Sequence, residues 1–461
     1  MERTEVKPLC GISSDGDAFG RPGHPTEVLV SFDTEDFTDP RADDAIRELA
    51  DICTEEGVTA HFEVVGLLAE ALERRGRSDV IDAVRRHLVG THTWSHSVHP
   101  DIMEESDIED FERAYAIVRG HEEKSVATVK RVFGVDRVWC SVPPGNAEPY
   151  VSSRVYADMG IHLDFGPTYF GYDAEDLWYA GLRRVPYGYC MEQFHEPDFK
   201  FDADAILDLL ARKNRFCLFC HPNRVRATRF WDGLNYNGGN SRNFGEWKLS
   251  DEYPPEEVAS YLAKIREIIR RIKADPRFRF VTARELCAAE KPRVAIVRGD
   301  VPVLRAKLLE RLGHVDEPAS WCVADVFCAA VAFLRGEERF MPVNAYGFLY
   351  APEGVAEATR VTRAELVEAA ATMDVSKFLP HKIDIGGRAI GPADFLFAAL
   401  EVLETGAEEV VVAPREQLGD LNEIPLLKEL CYRGTWVHTP ELRDDWCSNR
   451  MRWQFWTLRR E

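Results

Sequence analysis

From Val28 to Thr282 the chain alternates short apolar runs with longer stretches of helical periodicity, a pattern that constrains it to βαβ architecture. Val28-Leu29-Val30-Ser31-Phe32 is short and Val-rich, so it reads as a buried strand, and it ends in the acidic cluster Asp33-Thr34-Glu35-Asp36. A helix is expected over Ala42 to Glu56, with Gly57 at the place of a left-handed C-terminal cap. Ala60 to Val65 then reads as strand, Ser78 to His87 as helix, and Asp107 to Phe133 as a long helical stretch. Val138 to Val142, Ile161 to Phe165 and Phe216 to Cys220 are strand-like, and a helix over Pro255 to Ile272 precedes a last strand, Phe278 to Thr282. The expectation is a layered or barrel α/β domain with polar clusters at the C-terminal ends of its strands, where such folds place their sites.

A chain of 461 residues is too long for one ordinary core. Its formal charge of -21 excludes a nucleic-acid binder and disfavours docking on anionic membranes, because both need clustered Lys and Arg. No run of about 18 apolar residues is present, so no transmembrane helix is expected. Residues 1–24 read as an irregular lead-in without the apolar stretch of a secretory signal. Eleven scattered cysteines suggest no disulfide framework, and a reducing cytoplasm is the simplest address.

The character changes after Lys291-Pro292, which predicts domains over 25–290 and 291–461. The second is expected to be smaller and mainly helical, with an internal repeat. Val323 to Leu334 and Pro392 to Leu403 share Ala-Asp, Ala-Ala and a final Leu in the same places, each followed by a Gly. Two unrelated Ala-rich helices would give a similar pattern. If 25–290 is self-sufficient, a chain ending near Glu290 stays soluble and binds metal, and the junction near Lys291 is protease-sensitive.

The chemistry-bearing residues gather at the strand ends. His92-Thr93-Trp94-Ser95-His96 places two imidazoles four residues apart, a spacing that on a helical turn presents both to one metal ion. Two neutral imidazoles and one carboxylate from the cluster after Phe32 leave coordination positions open, which is the catalytic pattern. His99 offers a competing pair with His96, but Pro100 turns the chain. Phe216-Cys217-Leu218-Phe219-Cys220-His221 contains C-x-x-C-H, yet cysteines inside an apolar strand do not suit haem attachment, so the run reads as a strand delivering His221. A strand-end His that merely satisfies hydrogen bonds is the plainer reading of His221. Trp231 and Asn235, just beyond it, and Asp164, in the Ile161–Phe165 strand, are candidates for substrate contact.

From about Glu27 to Leu286 these motifs, in this order, resemble the polysaccharide deacetylases of carbohydrate esterase family 4. Ser31-Phe32-Asp33-Thr34-Glu35-Asp36 is similar to that family's first motif. Gly90-Thr91-His92-Thr93-Trp94-Ser95-His96 is similar to its metal-binding motif, and Leu218-Phe219-Cys220-His221-Pro222 to its last catalytic motif. The resemblance implies a distorted (β/α) barrel and hydrolysis of an N-acetyl or related amide bond. It also implies Asp33 as general base, His92 and His96 as ligands of a divalent metal (zinc above all) beside an acidic partner, and His221 as general acid. Two departures stand out. Where the family has adjacent aspartates, Glu35 and Asp36 both compete for the acidic ligand's place, with Asp36 slightly favoured, and Cys140-Ser141-Val142-Pro143-Pro144-Gly145 keeps the Pro and Gly of the third motif but lacks its base-orienting Arg.

The expected substrate is therefore an N-acylated sugar or envelope precursor. A small cyclic amide or ureide, or a carbohydrate-binding scaffold without turnover, are the alternatives. Ile385 to Leu396 faintly resembles pseudomurein-binding repeats, which would make a cell-wall polymer the partner of the second domain.

Overall fold

A computed structural model describes residues 23–166, 177–316 and 319–460, which form two compact units. The first unit holds residues 23–166, Arg184–Glu290 and the distant segment Cys431–Arg443. The second holds Leu177–Arg183, Lys291–Leu430 and residues 444–460. A contiguous division into 25–290 and 291–461 is thus corrected by two exchanges, and the lead-in over residues 1–22 lies outside the described residues. Among the described residues, no helix is long and apolar enough to cross a membrane.

The first unit is built on a parallel sheet. Its six strands are β1 (Thr26–Thr34), β2 (His61–Val64), β3 (Leu88–Thr91), β5 (Gly188–Cys190), β6 (Arg215–Cys220) and β7 (Phe278–Phe280), while β4 (Leu163–Phe165) belongs to a separate sheet. β1 pairs in parallel with β2, β6 and β7, β2 with β3, and β5 with β6. Val28, Leu29, Val30 and Phe32 are all fully buried, as expected of a strand covered on both faces. Burial of such side chains contributes about 1.5–3 kcal/mol each. The helix Pro40–Glu56 starts where Asp39 accepts from the Arg41 N–H, and it stops at Gly57, whose φ of 68° is left-handed.

Val138–Val142 does not form the expected strand. Only Ser141 bridges in parallel, to Thr91 on one side and Asp164 on the other. Pro143 and Pro144, which follow, have no N–H to continue a ladder. The register Phe32↔Cys220, Thr34↔Val64 and Val64↔Thr91 lines up the C-terminal ends of β1, β2, β3 and β6. Glu35, His92 and His221 are the residues directly after three of those ends.

In the second unit two stretches follow the same order of elements. The strand Ile296–Val297, helix Val301–Glu310, a Val315–Trp321 bridge and helix Val323–Leu334 end in strand Arg339–Phe340, which pairs antiparallel with the first. Then strand Thr359–Thr362, helix Arg363–Thr372, a hairpin over Ile383–Ile385 and Arg388–Ile390, and helix Pro392–Thr405 end in strand Glu409–Val412, again antiparallel to the first. The two apolar helices begin with the same device. Asp325 accepts from the Cys322 N–H and Asp394 from the Gly391 N–H, each at 3.0 Å.

Candidate active site

Glu35, His92 and His96 converge just beyond the sheet. Their ligand-capable atoms all lie within 4.8 Å of one another, and all three side chains are buried. Glu35 Oε2 is 3.1 Å from His92 Nε2 and 2.9 Å from His96 Nε2. His92 Nδ1 sits 2.8 Å from the Val142 carbonyl, which fixes Nδ1 as the donor and turns the Nε2 lone pair toward the cluster. His96 Nδ1 pairs with Ser97 Oγ at 2.7 Å, whereas its buried Nε2 has no well-directed hydrogen bond. Burial opposes charge on Glu35, but His96, His221 and His92 outweigh it and hold the carboxyl well below the usual carboxylate range. Two imidazole nitrogens and an ionised carboxylate suit a divalent ion such as zinc, and His96 Nε2, which meets Glu35 at 2.9 Å without a well-directed hydrogen bond, is a donor atom such an ion would engage.

The loop bearing the histidines is not the helical turn that the spacing suggested. Thr93 and His96 have φ of 64° and 51°, a left-handed conformation that costs energy outside glycine. The Thr93 hydroxyl accepts from the His96 N–H and helps hold that shape. The two rings come to 4.6 Å by loop geometry rather than by helical periodicity.

Asp36 does not join the cluster, a correction to its favoured place as ligand. Its Oδ1 accepts from the Thr38 N–H, the Thr38 hydroxyl and the Asp39 N–H, so it shapes its own turn. Burial pushes its carboxyl up to about 7, where it is a poor anionic ligand. Glu35→Gln is therefore expected to weaken metal binding by more than the 10- to 100-fold typical of a lost outer partner. Asp36→Asn is expected to leave metal content unchanged. Metal analysis after dialysis reads both, and metal loss confined to the Asp36 variant would reverse the assignment.

A second group stands beside the first around a cavity of about 560 Å³, which Asp33, Glu35, His92, Tyr187, Glu192 and His221 help to line. Asp33 Oδ2 accepts from the Tyr187 hydroxyl at 2.6 Å and lies 3.4 Å from His221 Nε2, while its buried Oδ1 has no hydrogen-bond partner. Burial raises the Asp33 carboxyl above its ordinary value against the pull of His221 and His92. Glu192 Oε1 accepts from the His221 N–H at 3.0 Å and lies 2.5 Å from Nδ1. Burial opposes the charged imidazole, but Glu192, Glu35 and Asp33 prevail and push His221 up to about 10.

The three expected substrate contacts have other partners. The Trp231 indole N–H donates to Glu35 Oε1 at 2.7 Å, so this residue steadies Glu35. The Asn235 side chain bonds the Trp231 carbonyl and both backbone groups of Lys248, which ties a loop together. Asp164 accepts from the Ser141 hydroxyl at 2.8 Å and faces Arg184 at 3.0 Å in a buried network.

Sequence reasoning missed Tyr187, Glu192 and Trp436. Trp436 comes from the returning segment Cys431–Arg443, and its ring stands edge-on to His96 at 5.1 Å. Its N–H donates to Asp232 at 2.6 Å, and a Cβ on Gly145 would fall 2.3 Å from its ring. The glycine of Pro143-Pro144-Gly145 is thus the place where this indole packs. Two residues on, His438 Nδ1 is 2.7 Å from Asp101 Oδ2. His99, Asp101 and Glu104 form a further group close enough for a metal, but the bonds to Tyr236, His438 and Thr439 and the cap of helix Ile102–Ser106 occupy them.

No family model and no curated protein matches the chain. Among solved structures it is similar to a 4-alpha-glucanotransferase from Thermococcus litoralis at 12% identity, over 59% of this chain and 41% of that one, with a TM-score of 0.39. This chain thus spans under half of that protein. It is similar to a family 4 carbohydrate esterase from Streptomyces lividans at 12% identity, over 56% and 92% of the two chains, with a TM-score of 0.30. It is also similar to Puue allantoinase at 13% identity, over 62% and 99%, with a TM-score of 0.39. At these identities and scores the likenesses assign no residue of the site.

Proposed function

We propose that the first unit is a metal-dependent hydrolase of a non-peptide C–N bond, most simply one that removes the acyl group of an N-acetylated sugar or envelope precursor. The observation that carries this reading is the meeting of two groups on one cavity, the Glu35–His92–His96 cluster and the Asp33–His221 pair. A divalent ion held by Glu35, His92 and His96 would supply a water of pKa near 7 and a polarised carbonyl. Asp33, on the wall of the cavity, takes a proton from the attacking water. His221, protonated and turned by Glu192 so that Nε2–H faces Asp33 and the cavity, gives a proton to the departing nitrogen. The bond broken is C–N, and the products are a carboxylic acid and an amine.

The cavity volume supports a small reacting group, either one sugar residue or a cyclic amide or ureide. The test is turnover by the zinc-loaded full chain on a panel of N-acetylated sugars and cyclic amides or ureides. Acid and amine production by one class, abolished by a chelator and restored by zinc, is the expected result. Tightly bound metal without turnover on either class would overturn hydrolysis in favour of a binding scaffold.

A further inference from the structure

The motif that should carry an arginine beside the base reads Cys140-Ser141-Val142-Pro143-Pro144-Gly145, so no guanidinium from that loop reaches Asp33. A buried carboxylate with neither charge nor hydrogen bond to hold it would turn among rotamers and be costly to ionise. Asp33 Oδ2 lies 3.4 Å from His221 Nε2, and the hydrogen bond that holds it is the Tyr187 hydroxyl's, at 2.6 Å.

Several features fix that phenol in place. Tyr187 is 2% exposed. Its ring stacks on Phe219 of β6, with centroids 3.9 Å apart and planes 14° apart. Its carbonyl accepts from the Cys217 and Tyr189 N–H groups, both at 2.9 Å. On the side of β4 the ring lies where a Cβ on Gly166 would be only 2.1 Å away, so only glycine fits opposite it. The hydroxyl is thus aimed by the sheet rather than by a mobile side chain. With Oδ2 held by Tyr187, Oδ1 is the buried oxygen left without a partner.

We propose that Tyr187 is the positioning residue for Asp33, its phenol O–H doing with a neutral hydrogen bond what the absent arginine would do with a charge. The assignment rests on the hydrolase reading for its kinetic consequence, but not for its geometry. Tyr187 is not one of the Glu35–His92–His96 cluster, and its hydroxyl is spent on Asp33, through which it acts.

The test is Tyr187→Phe, which removes one oxygen and keeps the ring. Removal of a single preorganised donor typically costs about 100- to 1,000-fold, and we expect kcat to fall by roughly 10- to 100-fold because the donor acts one residue away. KM and bound metal should stay the same. In an Asp33→Asn background the same change should cost nothing further, because the residue through which it acts has already lost its function. A merely structural hydroxyl would lower stability and activity equally in both backgrounds, and that result overturns the proposal.

Crystal structures of the metal-loaded wild type and Tyr187→Phe give a readout independent of turnover. The Asp33 carboxylate should rotate away from its place beside His221 when the hydroxyl is gone. An Asp33 side chain that stays in place would overturn the proposal even if no substrate is found. Absence of turnover in the wild type, with Asp33 rotated in the variant, would sink the hydrolase reading and leave Tyr187 as the anchor of Asp33.

Discussion

Replacing His221 with alanine should lower kcat by about 100- to 10,000-fold, the usual contribution of a general acid, while KM and bound metal stay near their wild-type values. His221 lies outside the Glu35–His92–His96 cluster, so its loss removes no ligand. Its Nδ1–H is held by Glu192, and its Nε2–H, the proton to be given up, faces Asp33 at 3.4 Å. Asp33→Asn should show the same pattern, since Glu35 retains the carboxylate of the cluster. If His221 only satisfied hydrogen bonds, His221→Ala would lower Tm and spare kcat. A variant that melts early yet turns over normally removes His221 from the chemistry.

The sign of the pH dependence follows from the same contacts. The folded-state pKa of His221, pushed up to about 10, lies above its ordinary value near 6.5. Protonation therefore stabilises the fold fully below about pH 6.5, and that contribution is lost as pH rises through about 10. kcat/KM should fall over the same alkaline range as the acid loses its proton.

The second large effect concerns the chain as a whole. A chain ending at Glu290 should lose metal and either aggregate or melt far below the intact protein, contrary to what a self-sufficient 25–290 domain would do. The missing Cys431–Arg443 segment belongs to the same compact unit as the site. Without it, the Trp436 ring no longer covers His96 and Gly145, and the buried Asp101 loses His438. Deletion of a fully buried aromatic costs about 3–5 kcal/mol, of which the half-buried indole gives up a part, and a buried polar group left unpaired costs about 1–3 more. That is a large part of the roughly 5–15 kcal/mol that holds an ordinary domain folded. Trp436→Ala in the full chain should show a milder form of the same loss. Normal metal content and Tm in both proteins would show that the segment is dispensable.

What the sequence made legible was what periodicity and strand ends encode. Val28 to Phe32 could only be a buried strand, and a carboxylate or histidine directly after a strand is displayed at the sheet's edge whatever the loops do. Glu35 and Asp36 were not separable, because successive residues leaving a strand point in different directions and only the turn at Thr38 decides which carboxylate faces the histidines. The His92–His96 spacing suggested a helical turn, but left-handed backbone at Thr93 and His96 brought the rings together by another route. Tyr187 and Glu192 carry no motif. They reach Asp33 and His221 from 154 and 29 residues away, and only the folded sheet makes them neighbours. Trp436 is farther still, beyond the Lys291–Leu430 stretch of the second unit.

That last placement bears on the order in which the protein comes into being. On a ribosome adding about 5–20 residues per second, Glu290 emerges several seconds to about half a minute before Trp436. Throughout that interval the sheet, Asp33, His221 and both histidines already exist, yet the indole that belongs against His96 has not been made. The unit must wait, with that face uncovered, while a different unit is synthesised in front of the segment that finishes it. Maturation of the site is in this way tied to synthesis as far as Cys431–Arg443, so that a product aborted before that segment leaves an unfinished site rather than a working fragment.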